Sequence, residues 1–384
     1  MRQRMLNIAV GSVAAALALS ACASGTKADS ADSASTTKVV PIASVTSATA
    51  FGGMDALVAA AKKEGTLNVI TLSPDWANYG EIMKGFTTKY GIKINSANPD
   101  GSSADEITAI KSLKGQDRAP DVVDVGQGFA LSGAAEGLYA PYQVATFADI
   151  PASLKEQNGT WVNDYGGYVS IGCDTGKITV CPTTLAALNN PIYKGKLALN
   201  GDPTKANAAF SAVWAAGLAK GGSLDDIKPG IDFFGQLKKA GVYVPVQATA
   251  ATIESGETPL VLDWDYLNVS KANTLKAKGR TFTVAVPTDG HYSSYYAQAI
   301  SKYAPHPAAA RLWEEYLYSV DGQNGWLAGS ARPVLLAAMT AAKTVDPAAA
   351  ALLPAVTEAP VFPTAAQITA AKALVTQSWA STVK

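Results

Sequence analysis

The chain has 384 residues, 48% of them hydrophobic and 16% charged, with a formal net charge of zero. That balance excludes a disordered or fibrous chain and offers no basic surface for nucleic acid. Two histidines and three cysteines leave few side chains for metal or nucleophile chemistry, so no cofactor, no metal site and no catalytic residue is expected.

The chain opens on an address. Arg2 and Arg4 form a positive start, and Leu6 to Leu19 form an apolar run shorter than the ~20 residues of a membrane span. The run ends in Leu19-Ser20-Ala21-Cys22, which resembles the lipobox of bacterial lipoproteins. In that family the cysteine, here Cys22, is lipidated and becomes the N-terminus. The plainer alternative is a secretory signal cleaved at a small-residue site. Removing residues 1–21 takes Arg2 and Arg4 from the 31 basic residues, leaving 29 against 31 acids, a net of −2. Residues 22–52 are dominated by Ser, Thr and Ala and read as a flexible tether.

A body of this size exceeds what one core serves, so two lobes are expected. "MDALVAAAKKEG" predicts a helix capped at Gly65, followed by an apolar strand from Leu67 to Leu72. Ile82, Met83, Phe86 and Tyr90 recur at helical spacing, Gly91 stops that helix, and "IKIN" alternates as a strand. "ADEITAIKSLKG" is a further helix and "PDVVDVG" a further strand, so the alternation predicts a mainly parallel α/β sheet. Cys173 and Cys181 close a turn-rich loop and predict a local disulfide. "LALN", "LVLDW" and "FTVAVP" are strands, while "KANAAFSAVWAAGLAKGG" and "IDFFGQLKKAG" are helices. In "PAAARLWEEYLYSVDG", Leu312, Trp313, Tyr316, Leu317 and Val320 share a face, with Asp321-Gly322 as the expected stop. The last helix, "AAQITAAKALVTQSWAS", presents Ile368, Leu374 and Trp379 for packing.

No phosphate-cradling glycine loop, HExxH or GxSxG occurs. A serine triad around His291 with Ser293 or Ser294 lacks an oxyanion-hole sequence, and His306, in a proline-flanked loop, is expected to be exposed. What recurs is polar and aromatic residues at strand ends. Ser73-Pro74-Asp75-Trp76, Asn98 to Ser103, Gly126-Gln127-Gly128-Phe129, Gly201-Asp202 and Trp264-Asp265-Tyr266 each follow a strand. In open α/β sheets ligands bind outside those ends. Singly, Asp75 and Asp202 read equally well as helix caps, and Trp76 and Trp264 as core.

"VAAAKKEGTLNVITLSPDWANYGEIMKGFTTKYGIKI", "PDVVDVGQGFALSGAAEGLYAPY" and "AAARLWEEYLYSVDGQNGWLAGSARPV" resemble the extracellular solute-binding proteins of bacterial ABC importers, in particular the polyamine-, ferric-iron- and phosphonate-binding group. The resemblance implies an α/β, two-lobed fold with two interlobe crossings and a ligand cleft between the lobes. The expected division is 53–163 with 295–333 as one lobe and 164–294 with 334–384 as the other. It also implies a lipid-anchored, extracytoplasmic monomer that is not an enzyme, with an ABC permease and its ATPase subunits as partners.

For the ligand it points to Asp75, Trp76, Ser103, Gln127, Asp202, Trp264, Asp265, Tyr266, Tyr295 and Tyr296. In polyamine-binding members, aromatic walls hold the methylene chain and carboxylates meet the ammonium groups. Here tyrosine stands near a returning acid position, which argues against a full-length polyamine. Carboxylates closed into a cleft need a positive partner, and no arginine stands at the strand ends. A small cationic amine or polyamine-like molecule is therefore the expected solute, with Asp263 turned to the backbone. The alternatives are ferric iron, for which "HYSSYY" offers phenols and an imidazole, and a secreted hydrolase using His291.

Overall fold

The computed structural model describes residues 41–354, 356 and 362–384. Cys22, the apolar start and most of the expected tether lie outside the described residues. No helix among the described residues is long and apolar enough to cross a membrane.

Strands β1 (Thr66–Ile70) and β2 (Lys93–Ala97) pair in parallel as a small sheet. The rest form a second sheet: β3 (Val122–Gly126), β4 (Tyr139–Ala140), β5 (Val162–Asp174), β6 (Leu197–Leu199), β7 (Tyr243–Gln247), β8 (Leu260–Trp264), β9 (Phe282–Ala285), β10 (Ser293–Ser301) and β11 (Arg332–Pro333). Its order is β3-β10-β5-β8-β6-β7, with β9 and β11 added to β5 and β4 to β10.

This sheet is not mainly parallel. β10 is antiparallel to both β3 and β5, and β5 to β8, while β6 is parallel to β7 and β8. The cause is non-local: β10 returns from late in the chain and inserts between β3 and β5, a pairing that local alternation cannot show. β5 spans the molecule. Its residues 162–168 pair with β10 and β11, and residues 169–174 with β8 and β9.

Where β5 changes partners stand Gly166 and Gly167. A Cβ at Gly166 would lie 2.3 Å from the Ser294 carbonyl oxygen, and one at Gly167 would lie 2.2 Å from Asp265 Oδ1. Only glycine lets the strand pass between these neighbours.

The periodic helices form as Met54–Glu64, Tyr79–Tyr90, Ser103–Ser112, Asn207–Ala219, Lys228–Lys239, Pro307–Leu317 and Ala365–Thr382. Gly65 and Gly91 end the first two at φ 72°. Asp321-Gly322 do not stop the helix before them. Pro307–Leu317 ends earlier, and Ser319 accepts a hydrogen bond from the Gly322 N–H to start a new helix, Val320–Ala328. Ile368, Ala371 and Val375 are buried on the last helix, with Leu374 and Trp379 half-buried. That helix packs on both Gln127–Ala135 and Lys228–Lys239, and the short Pro347–Ala350 helix packs on Val320–Ala328. Cys173 and Cys181 are joined by a disulfide. His306 is not free in its loop: its Nδ1 lies 2.9 Å from the buried Asp121 carboxylate, which raises its pKa.

Candidate functional site

A cavity of about 280 Å³ opens at the ends of β1 and β3 on one side and of β6, β7 and β8 on the other. One wall carries Thr71, Ser103, Glu106 and Asp124, and the other Asn200, Asp202, Lys205, Asn207 and Gln247, with Trp76, Tyr165, Tyr266 and Tyr296 as its rings. An adjoining cavity of about 310 Å³ shares Trp76, Asp100, Asn200, Gln247 and Leu267 and adds Asp75, Ser270 and Lys271. The two walls touch above it. Ser270 Oγ donates to the Asp75 carbonyl at 2.9 Å, and Gly126 lies against the Asn207 side chain.

The floor is an acid inside an apolar strand. Asp124, in β3, accepts hydrogen bonds at Oδ2 from Tyr79 (2.7 Å) and Tyr165 (3.0 Å). Its Oδ1 is buried without a hydrogen-bond partner of good geometry, and the Asp164 carboxyl stands beside Asp124 within hydrogen-bonding reach. Burial pushes the Asp124 pKa up to about 7, against the hydrogen bonds from Tyr79, Tyr165 and Asp164 that lower it. Asp164, tied to the Gln298 amide (3.0 Å) and the Tyr165 N–H (2.6 Å), is raised as well, through burial and the charge of Asp124. Glu106 accepts from the Asp124 N–H at 2.9 Å and is also raised well above the usual carboxylate range, chiefly by burial. Thr71 lines the same wall at φ 54°, a strained backbone for a β-branched residue, with a buried hydroxyl that has no hydrogen-bond partner of good geometry.

The rings pack as one group. Tyr165 stacks parallel to Tyr296 (5.8 Å, 4°) and meets Tyr266 edge-on (5.5 Å). Burial raises all three phenols, so they present O–H groups rather than phenolates.

The structure brings Trp76, Ser103, Asp202, Tyr266 and Tyr296 to the main cavity and Asp75 to the adjoining one. Asp202 accepts from the Thr204 N–H (2.9 Å) and Oγ1 (2.8 Å), so it also shapes its own turn. Four residues are not brought to the cavity. Trp264 is buried beneath it, stacked on Tyr266 (6.4 Å) and edge-on to Tyr296, because β8 is covered on both faces. Asp265 is buried against Arg332 Nη1 (2.6 Å), a partner supplied by the chain itself. Gln127 and Tyr295 line a separate cavity of about 320 Å³, where Gln127 accepts from Asn163 and Tyr295 meets Phe362. Adjacent residues of an extended strand point to opposite faces, which separates Tyr295 from Tyr296. Asp263 accepts from the Trp264 N–H (2.8 Å) and pairs with Lys271 (2.5 Å).

Asp124, Glu106, Tyr165, Lys205 and Asn207 went unremarked in the sequence. The available signal was the acid in "PDVVDVG", since an ionisable residue in a strand buried on both faces is the anomaly worth pursuing.

Residues 117–355 match the family of bacterial extracellular solute-binding proteins, more than half of the chain. No curated protein matches the sequence. Among solved structures, the fold is similar to the periplasmic binding protein AfuA from Actinobacillus pleuropneumoniae with fructose-6-phosphate bound (TM-score 0.66, 18% identity, covering 83% of this chain and 98% of that one). It is similar to a periplasmic thiamin binding protein (0.63, 18%, 83% and 96%) and to iron-bound HitA from Pseudomonas aeruginosa (0.57, 20%, 81% and 97%). The chain belongs to the bacterial extracellular solute-binding proteins, and its fold is the two-lobed one of periplasmic binding proteins. The family is one of extracellular solute-binding proteins, an extracytoplasmic role that implies a small-molecule ligand and an ABC permease as partner.

Proposed function

We propose that the protein is the lipid-anchored receptor of an ABC importer for a small solute bearing an ammonium group, bound at Asp124 among the rings of Tyr165, Tyr266, Tyr296 and Trp76. The observation that carries this is Asp124 itself: a buried acid lining the cavity, held by two phenols and a second carboxyl, with no cationic partner among the described residues. A buried carboxylate without a cation is costly, and an ammonium repairs that cost while its methylenes lie on the rings. The lobes cross near residue 164 in β5 and near residue 294 in β10, and anchoring falls to Cys22.

Calorimetric titration of the protein with putrescine, spermidine, ethanolamine, ferric citrate and fructose-6-phosphate tests this. Binding of an amine that disappears in Asp124→Asn, with the melting temperature retained, supports it; binding of the phosphate sugar alone overturns it. A second reading has one observation behind it: Asp124, Glu106 and three phenols form an oxygen donor set suited to a hard cation such as ferric iron. Against it, Tyr295 and Tyr296 diverge, and no group of three His, Cys, Asp or Glu forms among the described residues. Ferric binding that survives Tyr296→Phe would sink that reading.

A further inference from the structure

We infer that the solute is a zwitterion, with its ammonium at Asp124 and an oxyanion against the facing wall, at Lys205 and the first turn of the helix Asn207–Ala219. This rests on the ammonium reading above and adds the other end of the molecule.

The two walls present opposite needs to one space. Asp124 is 6% exposed and Asn207 is 7% exposed, and both line the same cavity. Asp124 has no cationic partner among the described residues; Asn207 holds a buried donor, Nδ2, without an acceptor. Asn207 also begins a helix of 13 residues whose preceding residue is Ala206, a side chain that cannot accept a hydrogen bond, so no side chain caps the helix. The first N–H groups of a helix have no partner within it, and the helix dipole adds positive potential there. Asn207 and Ala208, which carry two of those groups, line the cavity. Lys205 is the one basic side chain among the lining residues and forms no ion pair among the described residues.

Of the other acids lining the cavity, Asp105 and Asp202 are engaged locally, while Asp100 is exposed and shared with the adjoining cavity. Asp105 caps Ser102 through its backbone N–H and hydroxyl (2.8 Å each), and Asp202 holds Thr204. A diamine whose second ammonium reaches Lys205 and the positive end of the helix Asn207–Ala219 meets like charge there, which selects against it. An oxyanion there gains N–H donors, the Asn207 amide and the Lys205 charge together.

The test uses matched two-carbon probes on the intact protein by calorimetry: 2-aminoethylphosphonate and β-alanine as zwitterions, ethylenediamine as the dication, ethylphosphonate and propionate as anions. We expect at least one zwitterion to bind tenfold or more tightly than ethylenediamine and than its own anion. The phosphonate and carboxylate arms show which oxyanion the wall takes. Lys205→Ala, a surface-reaching change, should weaken the zwitterion about tenfold and leave ethylenediamine no weaker. If ethylenediamine binds as tightly as either zwitterion and Lys205→Ala alters neither, the zwitterion is overturned while the ammonium reading stands. If no amine binds and an anion does, the ammonium reading falls with it.

Discussion

Two buried aspartates, Asp124 and Asp265, stand at the ends of neighbouring parts of the sheet, and burial raises both pKa values. Asp265 has its counter-charge inside the molecule, where Arg332 and the N–H groups of Tyr168 and Tyr266 hold its carboxylate. Asp124 has only phenols and a second carboxyl around it. Equal burial thus marks opposite roles. An acid matched by its own chain is a strut, and an acid left unmatched beside a cavity waits for something from solution.

The comparison is most easily broken at the strut. Arg332→Ala should cost about 3–5 kcal/mol in urea unfolding, the usual range for removing one partner of a buried pair. A loss under 1 kcal/mol would mean Asp265 is not dependent on Arg332. Asp124→Asn should do the reverse, leaving the ligand-free protein as stable or more stable while weakening amine binding by about 2–5 kcal/mol, as for loss of a buried charge partner. Equal unfolding losses for the two changes would erase the distinction.

The pH dependence sharpens it. Asp124 is raised from 3.8 to about 7 in the folded chain, so its contribution to stability is fully present below about pH 4 and is lost as pH rises through about 7. Glu314, buried beside Glu315 and raised to about 8, acts in the same direction. The ligand-free melting temperature should therefore fall between pH 5 and 8, with a shallower slope in Asp124→Asn. An ammonium ligand needs the ionised carboxylate, so its affinity should rise over the same interval. A ligand bound equally well at pH 5 and pH 8 would point away from Asp124. The smallest effect is expected at Asp75, exposed and contributing its carbonyl rather than its carboxylate to Ser270: Asp75→Ala should change stability by less than about 0.5 kcal/mol.

Most helices were legible because their apolar spacing and glycine stops are local signals, as Gly65 and Gly91 show. Strands β5 and β10 were not. β5 carries Asn163, Asp164 and two glycines within "VNDYGGYVSIGCD", a sequence without clean alternation because every residue of it is buried. The strand-end rule led to the right part of the molecule, bringing Trp76, Ser103, Asp202, Tyr266 and Tyr296 to one cavity. It misplaced Asp265 because the residue that answers it, Arg332, lies 67 positions away and has no local signature. It passed over Asp124 because two flanking valines made the acid look like part of an apolar run, and only tertiary packing shows which face of β3 meets the cavity.

The C-terminal helix Ala365–Thr382 leans on one helix from each part of the fold, with Lys372 over the Phe129 ring (3.1 Å) and Trp379 against Phe234 (5.6 Å). Any motion that parts the helix Gln127–Ala135 from the helix Lys228–Lys239 must shear at least one of those contacts. A solute whose binding requires that motion meets a cost on a surface it never touches. Loosening the C-terminal helix would multiply the affinities of all such solutes by one factor and leave the order of preference among them unchanged.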